Sequence, residues 1–152
     1  MTARDLPDVI ALNAANVEML APLDQARFAQ LVEWSDRFSV IDHDGVFAGF
    51  VVTFAEGSDY DSENYRWFAE RYDRFYYLDR IVLHPHFRRL GLGTRAYDEL
   101  EELAGSHGRM ALEVNLVPRN DVSLAFHAAR GYVEVGRLGD GDHRVSLMVK
   151  EL

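Results

Sequence analysis

The sequence contains no cysteine, so a disulfide framework, a thiolate nucleophile and a cysteine-based metal site are all excluded. It also contains no long apolar run. The longest near-apolar stretch, from Val46 to Ala55, is about half as long as a membrane-spanning helix needs to be. The amino terminus carries charges and a proline where a signal peptide needs an apolar segment. We therefore expect a cytoplasmic protein without a membrane partner.

Positively charged residues are fewer than negatively charged ones. The chain carries 16 Lys and Arg residues against 25 Asp and Glu residues, a formal net charge of −9, which argues against a nucleic-acid partner because a nucleic-acid backbone needs a basic face. The acidic surface is compatible with a cationic amine substrate, but it is also a common solubility device of cytosolic proteins. The length of 152 residues predicts one domain over residues 1–152, large enough to bury a hydrophobic core.

The apolar pattern alternates between helical and strand-like segments, which indicates a mixed α/β chain. Helices are predicted over residues 7–16, 23–34, part of 57–74, 94–104 and a short segment after Asn120. Strands are predicted over residues 38–41, 46–54, 75–83, 109–117, 132–138 and 144–149. Asp24, Asp61 or Ser62, and Asn120 or Asp121 are candidate N-caps, and Gly105 is expected to end the fourth helix.

Residues 77–94 form the most informative stretch, because they have the pattern of a buried strand, a turn and a glycine-rich helix start. Pro85 ends the strand, since proline has no backbone N–H donor. Arg88, Gly91 and Gly93 then give Arg-x-x-Gly-x-Gly directly before Thr94. Glycine lets a backbone approach a ligand closely, and the first N–H groups of a helix lack internal partners, so the stretch favours binding of a phosphate.

Two other interpretations of this loop stay open. One is an ordinary glycine-rich turn without a ligand. The other is a dinucleotide-binding fingerprint, because Gly91-x-Gly93-x-x-Ala96 fits the formal pattern and Glu113 follows at a suitable distance. Residues 85–90 lie between the predicted strand and Gly91, which argues against the dinucleotide-binding interpretation, since in that motif the strand leads directly into the first glycine.

The loop pattern resembles the acetyl-CoA pyrophosphate loop of the GNAT superfamily of N-acetyltransferases. A second pattern, Asn-x-x-Ser-x-x-Phe-His-x-x-x-Gly-Tyr from Asn120 to Tyr132, is similar to that family's other signature. Residues 60–68, 79–81 and 126–127 also look like a bacterial branch of acetyltransferases to which no substrate is assigned.

The resemblance implies a GNAT-type fold, a central mixed and mostly antiparallel sheet of about six to seven strands flanked by helices. It implies an enzyme that uses acetyl-CoA as co-substrate and passes the acetyl group to a primary amine by direct attack. By motif position, the Ile81 amide polarises the thioester carbonyl and Leu83 pairs with the pantetheine arm. The cofactor-binding residues implied in this way are Ile81, Val82, Leu83, Arg88, Arg89, Leu90, Gly91, Leu92, Gly93, Thr94, Asn120 and Phe126.

The attacking amine must lose a proton near neutral pH, which needs a base or a water chain. Asp79 and Glu113 are carboxylates inside apolar strands, where burial raises the pKa of a carboxyl group toward a useful value. Alternatively, Asp79 pairs with Arg71 or Arg74, since Arg80 is expected on the opposite face, and Glu113 bonds to backbone. The resemblance adds that some protein N-terminal acetyltransferases carry a Glu at the position of Glu113.

The leaving thiolate needs a proton, and the family commonly takes it from a tyrosine at the position that His127 occupies here. An imidazole is mostly unprotonated at neutral pH. His127 therefore donates a proton only if carboxylates hold that proton in place. It otherwise acts as the base, or lies on the helix surface and bonds to cofactor or solvent. The remaining histidines lack convergent spacing, so no metal site is predicted.

The acceptor is not readable from the motifs. Tyr60, Trp67 and Arg71 are candidate substrate-binding residues, because exposed aromatic side chains cluster before the catalytic strand. A small amine or amino-acid-like metabolite is the first expectation, and a protein N-terminus is the second. A non-catalytic acyl-CoA-binding or sensing module is the alternative from another class. The chain is expected to be a monomer or a homodimer.

Overall fold

A six-stranded sheet with helices on both faces makes up the computed structural model, which describes residues 1–152. The helices are α1 (Leu6–Ala15), α2 (Gln25–Trp34), α3 (Glu63–Ala69), α4 (Leu92–Gly105) and α5 (Asp121–Ala129). The strands are β1 (Arg37–His43), β2 (Val46–Ala55), β3 (Tyr76–Leu83), β4 (Arg109–Val117), β5 (Val133–Asp140) and β6 (His143–Glu151). The predicted mixed α/β class and strand number are confirmed. No helix combines the length and the apolar character needed to cross a bilayer.

The strand order is β1-β2-β3-β4-β6-β5. All neighbours are antiparallel except β3 and β4, which run parallel and pair only at Tyr76 with Met110 and at Tyr77 with Ala111. Beyond these positions the two strands separate. The sheet is therefore open in its middle, and the mostly antiparallel order excludes the doubly wound parallel fold that a dinucleotide fingerprint requires.

Two hydrophobic clusters lie on opposite faces of the sheet. The first packs α1, α2 and α3 against it and contains Val9, Leu31, Phe54, Phe68, Tyr77 and Ala111 among others. The second packs α4 against it and contains Tyr97, Leu100, Leu112 and Val114 among others. Side chains alternate along β4, so Ala111 and Leu112 fall in different clusters.

The helix ends follow the predicted residues with one correction. The side chains of Asp24, Ser62 and Asn120 accept hydrogen bonds from the first turns of α2, α3 and α5. The helix α4 begins at Leu92, two residues before the predicted start, because the chain turns at Gly91 with φ +75°. Gly105 is the last residue of α4, as predicted, and the chain then reverses at Gly108 with φ +83°.

Candidate active site

A cavity of about 410 Å³ lies in the opening between β3 and β4. Its wall includes Leu112 and Val114, which face α4, and also Glu113 and Asn115, which face the α1–α3 side because side chains alternate along a strand. The cavity therefore passes through the sheet. A ligand approaching from the α4 side and a second one approaching from the α1–α3 side can meet inside it.

A β-bulge in β3 shapes this cavity. Val52 pairs with Arg80 and Thr53 pairs with Leu78, so Asp79 is an extra residue without a partner on β2. The bulge breaks the alternation and puts the side chains of Asp79 and Arg80 on the same face. The Nε atom of Arg80 donates to Asp79 Oδ2 at 3.1 Å. The expectation that Arg80 points to the opposite face is wrong for this reason.

Arg80 also ties β3 to the elements that cover the acceptor side. Its Nη1 atom donates to Asn13 Oδ1 of α1 at 2.7 Å and to the carbonyl of Ala21 at 2.9 Å. On the other side of the cavity, Asn115 Nδ2 lies 3.2 Å from the sulfur of Met19. The loop of residues 17–21 is thus held between β3 and β4 and lines the cavity.

Each predicted base accepts a hydrogen bond from a tyrosine. The hydroxyl of Tyr60 donates to Asp79 Oδ1 at 2.9 Å, and the hydroxyl of Tyr77 donates to Glu113 Oε2 at 2.5 Å. Burial, and to a smaller extent the negative charge of Asp79, raise the pKa of Glu113 to about 8. The hydrogen bonds from Tyr77 and Asn64 oppose this rise, because they stabilise the carboxylate. Burial also raises the pKa of Asp79, and the charge of Arg80 opposes that rise.

The three residues predicted to bind the acceptor have different positions. Tyr60 is only 5% exposed and packs on Phe54, with 3.9 Å between ring centroids, so the expectation that it is exposed is wrong. Its hydroxyl still reaches the cavity. Trp67 lies outside the cavity and packs against Gly136, where a Cβ atom would overlap its ring. The guanidinium of Arg71 lies 3.8 Å from the Trp67 ring centroid, also outside.

His127 is 5% exposed and both of its ring nitrogens have partners. The Nδ1 atom lies 2.7 Å from the carbonyl of Ser123, which can only accept, so we assign the proton to Nδ1. The Nε2 atom then accepts from the hydroxyl of Tyr97 at 2.6 Å. Burial lowers the pKa of His127, which makes the neutral imidazole the resting form.

The glycine-rich loop leaves a run of backbone donors free. The N–H groups from Arg89 to Thr94 have no backbone partner in the chain. The first backbone hydrogen bond of α4 runs from the Arg95 N–H to the carbonyl of Gly91. Arg89 and Gly91 both have positive φ, at 65° and 75°. The space in which a Cβ atom of Gly91 would lie is open. The loop is a concave set of donors at the N-terminus of a 14-residue helix, which suits a pyrophosphate.

Two further donors face the opening from β3. The His84 N–H donates to the carbonyl of Ala48 on β2 at 2.7 Å. Because successive amides in a strand point to alternate sides, the N–H of Val82 also faces β2, whereas those of Ile81 and Leu83 face the opening. Arg88 is exposed beside the loop.

The second motif lies on the same side. Asn120 lines the cavity and caps α5, with Oδ1 accepting from the Ser123 N–H at 3.1 Å. Phe126 packs edge-on against Tyr97 with 5.0 Å between ring centroids. The motif therefore contributes Asn120 to the wall of the cavity. Through Phe126 it also packs against Tyr97, which is another lining residue.

The sequence analysis missed four residues of the site, which are Asn64, Tyr77, Arg80 and Tyr97. Tyr97 adjoins the apolar stripe of α4, and Tyr77 begins an apolar strand, so both have the pattern of core residues. Their hydroxyl partners, His127 and Glu113, are distant in the sequence. No sequence period indicates such contacts.

The comparisons with known proteins agree with this geometry. The sequence profile of the acetyltransferase (GNAT) family matches residues 9–132. The fold is similar to that of Ard1 from Thermoplasma volcanium (19% identity, 100% of this chain and 94% of that one, TM-score 0.75). It is also similar to a ribosomal-protein-alanine N-acetyltransferase from Brucella melitensis (22% identity, 100% of this chain and 97% of that one, TM-score 0.73). A third similar fold is that of an aminoglycoside 6'-N-acetyltransferase complexed with coenzyme A (14% identity, 99% of this chain and 92% of that one, TM-score 0.69). None of the curated proteins compared with the chain matches it. With a family profile over most of its length and the matching fold, this chain belongs to the GNAT acetyltransferase family and is an acyltransferase.

Proposed function

We propose that the protein transfers the acetyl group of acetyl-CoA to a primary amine by direct attack, and that the acceptor is a small amine or an amino-acid-like metabolite. The observation that carries this proposal is the pair of buried carboxylates, Asp79 and Glu113, in a cavity that also receives free backbone donors from β3. Such a cavity combines a base for the amine with donors for a carbonyl oxygen.

Acetyl-CoA supplies an activated acetyl thioester when bound. The N–H groups from Arg89 to Thr94 suit its pyrophosphate, with Arg88 and Arg89 adding mobile positive charge. In this proposal the Leu83 amide pairs with the pantetheine arm, and the Ile81 amide donates to the thioester oxygen. A backbone donor fixed in a dry site stabilises developing negative charge well, because it needs no reorganisation.

Glu113 is the proposed base. A pKa of about 8 is close to the working pH, which is the condition under which a general base is most effective. The carboxylate takes one proton from the ammonium group of the acceptor and leaves the amine neutral for attack. Asp79 keeps the pKa of Glu113 high through its negative charge and is held by Arg80 and Tyr60.

The leaving sulfur is proposed to receive its proton at the pair formed by Tyr97 and His127. Neutral His127 has its single ring proton bonded to the Ser123 carbonyl, so the proton of the pair that can move is that of the Tyr97 hydroxyl. This hydroxyl donates to His127 Nε2 and has to turn from it toward the sulfur; Tyr97 also lines the cavity. Burial raises the pKa of Tyr97, and its proton is present throughout the neutral range. In this assignment His127 positions the hydroxyl, Tyr97 gives its proton to the sulfur, and the second proton that the nitrogen loses as the adduct collapses returns to Tyr97.

The preference for a small acceptor rests on α3. This helix is fixed at its start by two hydrogen bonds between Arg27 and Asp61, at 2.6 and 3.0 Å, and near its end by Trp67 against Gly136. It closes one side of the cavity, whose volume of about 410 Å³ has to hold the acetyl end and the amine together. A protein N-terminus remains the second candidate, because Glu113 occupies a strand position that carries Glu in some N-terminal acetyltransferases. The Brucella neighbour is also such an enzyme by name.

The test is calorimetric titration with acetyl-CoA, followed by thiol release with a panel of amines and a panel of short peptides. We expect acetyl-CoA to bind and free CoA to appear only when an amine is added. Release with peptides alone would favour the protein N-terminus. Tight binding without release across both panels would favour a sensing module and contradict the proposed transferase.

A further inference from the structure

The acceptor side of the cavity has negative groups and almost no free positive charge. The carboxylates of Glu18, Asp79 and Glu113 line it. Besides the buried His127, the basic residues that line it are Arg80 and His143. Arg80 is 4% exposed and already donates to Asp79, to Asn13 and to the Ala21 carbonyl. His143 is the first residue of β6 and is exposed to solvent.

The charge of the acceptor has to match this arrangement. A primary ammonium group meets carboxylates and can pass its proton to one of them. Glu113 has to be ionised to take that proton, and in this form of the enzyme a carboxylate one carbon away from the ammonium group meets Glu113 as a like charge. Arg80 already pairs with Asp79, and no unoccupied guanidinium or ammonium group lies beside the carboxylate. Two like charges about 6 Å apart, at an effective dielectric constant of about 20, weaken association about 100-fold.

We propose that the enzyme discriminates against free α-amino acids and acetylates amines whose neighbouring group is uncharged, such as alkylamines, amino-acid amides and the N-termini of peptide chains. The inference rests on the proposed acetyl transfer to an amine and narrows its acceptor class. It is carried by Arg80, the one buried cation of the cavity, which is fully engaged by groups of the protein itself.

The experiment compares alanine, alaninamide and the tripeptide amide of alanine by thiol release. The values of kcat/KM are calculated on the concentration of unprotonated amine, because an amide substituent lowers the pKa of the amine. We expect alaninamide to exceed alanine about 100-fold. Similar rates with alaninamide and the tripeptide amide would show that the acceptor class includes the N-termini of peptide chains. A loss of activity with the tripeptide amide would restrict the class to small molecules.

A matched pair of variants separates charge from shape. Asn115 lies two residues from Glu113 on the same face of β4 and lines the cavity. Asn115→Lys places a cation beside Glu113 and should narrow the gap between alaninamide and alanine about tenfold. Asn115→Met has a similar length without the charge and should leave the gap unchanged.

Three results have different meanings. Use of alanine within about threefold of alaninamide by the wild-type enzyme, a ratio too small for one close like-charge contact, would overturn the inference and leave the transferase intact. An equal gap in both Asn115 variants would show that the discrimination is not electrostatic and would also overturn it. Bound acetyl-CoA without release from any acceptor would instead refute the proposed function.

Discussion

Replacing Glu113 by glutamine should change the pH dependence of stability in a calculable way. Burial and Asp79 raise the pKa of Glu113 from 4.5 to about 8 in the folded chain. Between these two pH values the folded state holds a proton that the unfolded state has lost. The free energy of unfolding therefore includes a contribution that is fully present below about pH 4.5, falls as the pH rises, and is lost above about pH 8.

The size of the effect follows from that shift. One proton corresponds to a slope of about 1.4 kcal/mol per pH unit, so the wild-type protein should lose about 2 kcal/mol of unfolding free energy between about pH 6 and pH 7.5 through this group. Glu113→Gln keeps the size of the side chain and cannot ionise. The difference between the two proteins should move by about the same amount in favour of the variant.

Urea unfolding followed by tryptophan fluorescence at several pH values measures this difference. The same variant should lose the acid limb of the kcat/KM profile, which in the wild-type enzyme should rise tenfold per pH unit up to about pH 8, and lose about 100-fold or more in rate. Unfolding free energies that run parallel from about pH 6 to pH 7.5 would refute the raised pKa, and with it the argument for Glu113 as the base.

Three further substitutions test other parts of the site. Gly91→Val should abolish acetyl-CoA binding in calorimetry, because a side chain would project where the phosphates approach the loop. The control Gly108→Val has a similar φ and open space for a Cβ atom, and it should bind acetyl-CoA normally. Normal binding by both variants would mean that the glycine-rich loop is an ordinary turn. Tyr97→Phe should lower kcat about 100-fold at an unchanged Kd for acetyl-CoA, and an unchanged kcat would remove this hydroxyl from the mechanism. Gly136→Ala should lower the free energy of unfolding in urea by about 1–3 kcal/mol, since its Cβ atom would overlap the Trp67 ring; an equal stability would mean that α3 shifts freely.

The cofactor side of the fold was predictable from the sequence because its signals are local. Turn chemistry at Pro85 and Gly91 falls within a few residues of the helix start that it sets up. The parallel pairing of β3 and β4 requires a crossover, and α4 is that crossover. The free amides of α4 consequently lie near the end of β3 at which the two strands separate.

The acceptor side was less predictable because a bulge changes which residues share a face. Strict alternation in β3 puts Asp79 and Arg80 on opposite faces, and the sequence contains no glycine or proline there to indicate a break. The structure inserts Asp79 as an extra residue opposite β2. Arg80 then reaches Asn13, which precedes it by 67 residues. A contact over that separation has no counterpart in a local pattern.

The same difference bears on how the acceptor is selected. The residues that suit acetyl-CoA belong to two continuous segments, 81–94 and 120–126. The acceptor side combines the loop of residues 17–21, the segment before α3 and the bulge of β3, and contacts of Arg80, Tyr60 and Asn115 join these parts. A change in the loop or in α3 can therefore alter the charge and width seen by the amine while the phosphate loop stays intact. Acceptor preference is a property of those contacts and not of the two motifs, and the charge around Glu113 is the feature that an acceptor panel should examine.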